Sequence, residues 1–253
     1  MECLFRKLEK FSMLSAEERE ALDGCASHSL QFRAREDLIQ DRKPIEGLFV
    51  IVSGFACRYR SLPDGRRQIV GYLLPGDMCD LRVFLLPRMD HSVCALNAVT
   101  VSLIAPDAVI NILQQFPRLA RAMWWTTLVE ESIAREWVVN VGCRTAFERV
   151  AHLFCEIFVR MEAVGLTKNG HCPLPLTQTE IADSLALSSV HVNRTLMYMR
   201  RNNLVRMHGG VLEIPNRAEL EAAAGFDRGY LHLEPDSLAP PQESLKYLNT
   251  SLR

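Results

Sequence analysis

Leu176-Thr-Gln-Thr-Glu-Ile-Ala-Asp-Ser-Leu-Ala-Leu-Ser-Ser-Val-His-Val-Asn-Arg-Thr-Leu196, followed by Asn203-Leu204-Val205, is the stretch from which the fold is read. Thr177 with Glu180 three residues on makes a capping box, so a helix starts there and carries Ile181, Ala182 and Leu185 on one side. Ala186-Leu187-Ser188 gives a tight turn, and Ser188 caps a second helix over Ser189–Arg201. Val192, Leu196 and Met199, at spacings of four and three, form the packed face of that helix. Ser189, Val190, Asn193, Arg194 and Met197 are left facing outward at its N-terminal end. The pattern is a helix-turn-helix, whose second helix would meet base edges in a major groove. Arg194 has the donor fork that matches guanine O6 and N7. Asn193 pairs with adenine or a phosphate, and Val190 packs on a thymine methyl. Thr177, Ser188, Ser189 and His191 are small or polar enough for the DNA backbone, and Arg200, Arg201 and Arg206 add local positive charge. The competing reading is an ordinary packed helix pair with solvated arginines.

The flanks favour DNA. Val205–Ile214 reads as a hairpin closed by Gly209-Gly210, a wing. Upstream, Gly165–Pro175 reads as a loop and Arg144–Ala163 as an amphipathic helix. Pro117 opens a long helix that reaches about Val141, ended by Gly142. On it Leu119, Thr126, Ile133 and Asn140 recur every seven residues, with Ala122, Val129 and Glu136 as second positions, a coiled-coil-like dimer seam. Asp107–Phe116 is a short helix. From about Ser29 to Ile104, β-rich runs (Leu48–Val52, Phe55–Tyr59, Gln68–Leu74, Val93–Leu96, Val99–Ile104) are separated by Ser53-Gly54, Pro63-Asp64-Gly65 and Pro75-Gly76-Asp77, which predicts a sandwich or barrel. Ser15 and Glu18 open a helix over Ala16–Leu22. The expected organisation is α+β: an N-terminal β-roll of jelly-roll type (1–116), a dimerisation helix (117–142), a winged helix-turn-helix (144–217) and an irregular tail (225–253) containing Pro235, Pro240 and Pro241.

A chain of 253 residues, nearly half apolar, can build two modest domains with their own cores. The net charge of −1 means that any DNA-binding charge is local. No run reaches the roughly 18 apolar residues of a membrane span, and the N-terminus carries acid early with no long apolar core, so a cytoplasmic protein with reduced thiols is expected.

This order of elements resembles the catabolite activator / fumarate-nitrate reduction regulator superfamily, Crp/Fnr, from about residue 10 to 217. The helix-turn-helix segment carries most of the resemblance, with Gly54, Pro63-Asp64-Gly65-Arg66-Arg67-Gln68-Ile69 and Pro75-Gly76-Asp77 in support. The resemblance implies a β-roll sensor of the cyclic-nucleotide-binding type, a dimer on two-fold symmetric double-stranded DNA, and RNA polymerase as a partner. Three departures matter. Cyclic-nucleotide binders follow Pro-Gly-Asp with Gly-Glu and later Arg-Ser. Here Asp80-Leu81 and Met89-Asp90 or His91-Ser92 stand there, no arginine falls in register, and cyclic AMP is not expected. Cys79, Asp80 and Arg82 mark where an effector would sit, its identity open. Iron–sulfur members have a tight N-terminal cysteine cluster; Cys3 and Cys25 are far apart and do not supply four thiolates. Many relatives have a cytosine-accepting glutamate where this chain has Val190.

Other residues have plainer readings. Cys57, Cys94 and Cys155 sit in apolar runs as buried thiols, while Cys172, in the loop beside His171, is the best exposed candidate for redox sensing. His152 reads as a satisfied structural histidine, and Trp124, Trp125 and Trp137 as core or interface. No His/Cys/carboxylate set has zinc spacing, no cofactor is implied, and His171-Cys172 lacks an orienting acid, so an enzyme is not expected. The alternative function is an effector- or redox-sensing module with weak or vestigial DNA binding.

Overall fold

A computed structural model describes residues 1–26, 28–44, 46–79, 81, 85–86 and 88–233. Within them the β-rich region forms β1 (His28–Phe32), β2 (Asp37–Ile39), β3 (Leu48–Ser53), β4 (Ala56–Ser61), β5 (Arg67–Leu73), β6 (Ser92–Ala95) and β7 (Val99–Ile104). They make two antiparallel sheets, ordered β1-β7-β3 and β2-β6-β4-β5. All five runs read from sequence are strands. β1 and β2 were not foreseen, because β1 is mostly exposed and β2 has only three residues.

Strand alternation explains how the sheets are used. Phe49, Ile51, Val99 and Val101 of one sheet meet Ala56, Leu73, Val93 and Ala95 of the other in an inner core. Their sequence neighbours point outward and are buried too. Leu48, Val50 and Ile104 pack under α1 (Glu2–Leu8), α2 (Ala16–Cys25), α3 (Pro106–Gln115) and the start of α4 (Pro117–Cys143). Cys57, Ile69, Tyr72 and Cys94 pack toward the C-terminal half. Gly76 (φ 92°) lets the Pro75–Asp77 turn meet α1: a Cβ there would lie 2.6 Å from the Cys3 carbonyl oxygen.

Pro117 opens α4 as read, and its 27 residues span about 40 Å. Gly142 does not end it; the helix continues to Cys143. The predicted seam needs a larger correction. Leu119, Ala122, Thr126, Val129 and Asn140 are buried within the chain, and Ile133 packs on its core. The exposed stripe is Arg121, Trp124, Leu128, Glu131, Arg135, Val138 and Gly142, with the same three-four spacing two residues further on. Two residues turn a helix by about 200°, so this is the opposite face.

After α4 come α5 (Ala146–Ala163), β8 (His171–Pro173), α6 (Gln178–Leu185), α7 (Ser189–Arg201), β9 (Arg206–His208), β10 (Val211–Glu213) and α8 (Arg217–Ala224). The wing hairpin is as read, with Gly209 and Gly210 at positive φ, but the preceding loop adds β8 as its third strand, in the order β8-β10-β9. The chain beyond Gly225 is not simply irregular: a 3-10 turn, Arg228–Leu231, packs on α4 and α5. Residues 234–253, with the three tail prolines, lie outside the described residues. No described helix is long and apolar enough to cross a membrane.

Candidate nucleic-acid interface

Each helix of the motif starts on a side-chain cap. Thr177 Oγ1 accepts from the Glu180 amide (3.2 Å) while Glu180 accepts from the Thr177 amide (2.7 Å), closing the expected box. Ser188 Oγ accepts from the His191 amide at 3.2 Å. Between them Ala186 turns into the left-handed region at φ 52°, and the amide of Leu187 returns to the Ala182 carbonyl. The turn therefore lies at Ala186–Ser188, where the sequence put it.

Burial divides α7 as predicted. Val192, Leu196 and Met199 are buried, joined by Thr195, while Ser189, Val190, His191, Asn193, Arg194 and Met197 are exposed. Val190, an apolar side chain, is 61% exposed at the helix N-terminus. Arg194, Arg200 and Arg201 form no salt bridge among the described residues and keep their charge available. Arg206 does not join them: it is held by Glu213 at 2.8 Å and Asn203 at 2.9 Å within the wing.

Sequence reasoning missed the parts that hold this unit in place. Arg149 of α5 donates to the Leu185 carbonyl (3.1 Å), Tyr72 to the Glu180 carbonyl (3.0 Å) and Gln68 to the Ser184 carbonyl (3.2 Å). The β-roll thus binds α6 through backbone oxygens, which leave no trace in residue type. Phe147 meets Tyr198 edge-on at 5.5 Å. Gln178 accepts from Asn193 at 3.0 Å; its position just inside the Thr177 cap was the available clue.

The residues expected to mark an effector site are only partly placed. Asp80 and Arg82 lie outside the described residues. Cys79 is buried in the inner core. A groove of about 580 Å³ does open between β4, β5 and α4, lined by Arg58, Arg60, Leu81, His91, Thr127, Glu130 and Arg160. Arg58 is already engaged, donating to Glu130 (3.0 Å) and to the Cys79 (2.8 Å) and Met78 (3.2 Å) carbonyls.

Cys172 is not an exposed thiol: β8 places it inward, 1% exposed, and burial pushes it up to about 12. Cys57, Cys94 and Cys155 are buried as expected, and Cys143 is exposed. His152 is buried but not satisfied. Neither ring nitrogen makes a well-aligned hydrogen bond, although Nε2 lies 3.2 Å from Glu136. Burial, and then the nearby Arg144 charge, hold it down at about 3. Trp125 and Trp137 are core; Trp124 is exposed.

A model of the Crp-like helix-turn-helix domain matches residues 148–223, and a model of the cyclic nucleotide-binding domain matches residues 29–116. The chain is 32% identical over 225 residues to the nitrogen fixation regulation protein FixK of Bradyrhizobium diazoefficiens, covering 88% of this chain and 93% of that protein. It is 29% identical over 181 residues to the transcriptional activator protein FnrL of Cereibacter sphaeroides, covering 70% and 72%. The structure of FixK2 from Bradyrhizobium japonicum superposes with a TM-score of 0.70 at 27% identity, over 77% of this chain and 96% of that one. With the β-roll, the long helix and the winged helix-turn-helix in the same order, this chain belongs to the Crp/Fnr family of dimeric DNA-binding transcription regulators, which are not enzymes.

Proposed function

We propose that the protein acts in the cytoplasm on two-fold symmetric DNA, as a dimer closed through the exposed stripe of α4. Its recognition residues are Ser189, Val190, Asn193 and Arg194, with Arg194 the main reader. Thr177, Ser188, His191, Arg200 and Arg201 meet the backbone. The observation that carries this reading is the N-terminal face of α7: exposed, with an arginine that no carboxylate among the described residues neutralises. Two such helices would occupy half-sites about 34 Å apart. The name of FnrL, a transcriptional activator protein, favours activation, and an activator of this kind would have RNA polymerase as its contacted partner.

Cyclic AMP is not the effector in this reading. No arginine falls in register after Pro75-Gly76-Asp77. Of the three arginines lining the groove, Arg58 is spent on Glu130 and two carbonyls and Arg160 on Asp77 and Glu156, which leaves only the exposed Arg60. Titration calorimetry should give no saturable heat with cyclic AMP or cyclic GMP at millimolar concentration; low-micromolar binding would overturn that part.

Competition binding on operator and scrambled duplexes at two salt concentrations tests the reading face. Arg194→Ala should lose about 1–3 kcal/mol of discrimination and leave non-specific binding nearly intact. Arg201→Ala should weaken both duplexes alike and flatten the salt dependence, because fewer counterions are released. An equal loss on both duplexes for Arg194→Ala would make that residue a phosphate clamp instead.

A further inference from the structure

The side-chain bond between Gln178 and Asn193 has a consequence for sequence readout, and it rests on α7 being the reading helix. Gln178 is the first residue of α6, fixed there by the Thr177 cap and half-buried. Its Oε1 accepts from Asn193 Nδ2 at 3.0 Å, across the turn between the helices. Neither amide has another hydrogen-bond partner among the described residues. A primary amide offers two N–H donors and one oxygen. With one N–H given to Gln178, Asn193 keeps one N–H and its Oδ1. That donor–acceptor pair is the complement of adenine N7 and N6.

We propose that Gln178 is a positioning residue for DNA readout: it holds the Asn193 amide so that its remaining donor and acceptor meet an adenine edge. The bond fixes a side chain that would otherwise sample several rotamers and both amide orientations, so less ordering is left for the moment of binding. The Gln178 NH2 group remains available to a phosphate oxygen, which would tie the register on the backbone to the base contact.

The test is competitive binding on a set of duplexes that varies every base of the half-site. The proteins are wild type, Gln178→Ala, Gln178→Glu, Asn193→Ala and the Gln178→Ala/Asn193→Ala double variant, with thermal melts as a folding control. Asn193→Ala should flatten the preference at one position of each half-site. Gln178→Ala should reduce the preference at that same position by about fivefold and leave the others alone. Gln178→Glu still accepts from Asn193, so it should keep the preference while weakening every duplex alike through charge repulsion. The double variant should be no less selective than Asn193→Ala. The proposal falls if Gln178→Ala weakens all duplexes uniformly with every preference intact, or changes nothing. It also falls if Asn193→Ala changes no preference while Arg194→Ala abolishes one; the reading helix then stands. If neither changes any preference, the reading helix itself is wrong.

Discussion

Ala186 sits at φ 52°, where an L-residue crowds its own carbonyl and glycine does not. The turn of the motif depends on that conformation, so Ala186→Gly should stabilise the fold by about 0.5–1 kcal/mol, read as a melting temperature a few degrees higher. A lower melting temperature would mean that the unfolded chain gains more freedom from glycine than the turn gains in relief. His152 makes a second prediction. Its folded value of about 3 lies below the ordinary 6.5. Below pH 6.5 the unfolded chain takes up a proton that the folded chain refuses, so stability falls as pH drops. Rings of Phe226 and Tyr230 and the charges of Glu136 and Arg144 surround it. His152→Gln should lose about 1–2 kcal/mol less than wild type between pH 6.5 and 5, compared by denaturant melts at the two pH values. Equal losses would show that His152 is protonated in the fold.

Along α4, the heptad period was legible and its direction was not. Two stripes with identical spacing run up the helix. The one richer in conventional seam residues is used by the chain's own cores. The other mixes Trp124, Leu128 and Val138 with Arg121, Glu131 and Arg135, and Val138 is 74% exposed. Period alone says that a helix has a partner, and only the packing of the rest of the chain says which stripe is left over. Leu128→Glu combined with Val138→Glu should give a folded monomer by sedimentation, with operator affinity strongly reduced. Ile133→Asp should instead lower the melting temperature, because it places a charge against the chain's own core. A dimeric Leu128→Glu/Val138→Glu variant would place the dimer contact elsewhere. The wing shows the same limit in miniature. Gly209-Gly210 announced the hairpin, but nothing in His171-Cys172-Pro173 announced a third strand. Its pairing with Val211–Glu213 comes from residues some forty positions away.

Across the whole chain, Asp77 joins parts that the sequence treats as separate. Its carboxylate is buried, which by itself would raise it. Lys7 of α1 and Arg160 of α5, each at 2.7 Å, together with the Leu74 amide, outweigh burial and hold it down at about 2. Asp77→Asn would leave two cations short of a partner in a buried junction, and should cost about 3–5 kcal/mol, measured by denaturant unfolding. A loss under about 1 kcal/mol would mean that Glu156, 3.2 Å from Arg160, compensates. The junction continues through Glu156, which accepts from Trp137 and Tyr230 and ties the 3-10 turn to both long helices. One apolar cluster runs from β4–β6 through α5 to the wing and α8, so the C-terminal half shares its core with one face of the β-roll, while the core between the two sheets is the β-roll's own. The sequence by itself determined the caps, the turns, the helix-turn-helix and its outward face, because each depends on residues within a few positions of one another. It could not determine which stripe of α4 is exposed, that Cys172 points inward, or that Tyr72 and Gln68 hold α6. Those depend on burial and on backbone partners brought together from distant positions, and only the tertiary structure decided them.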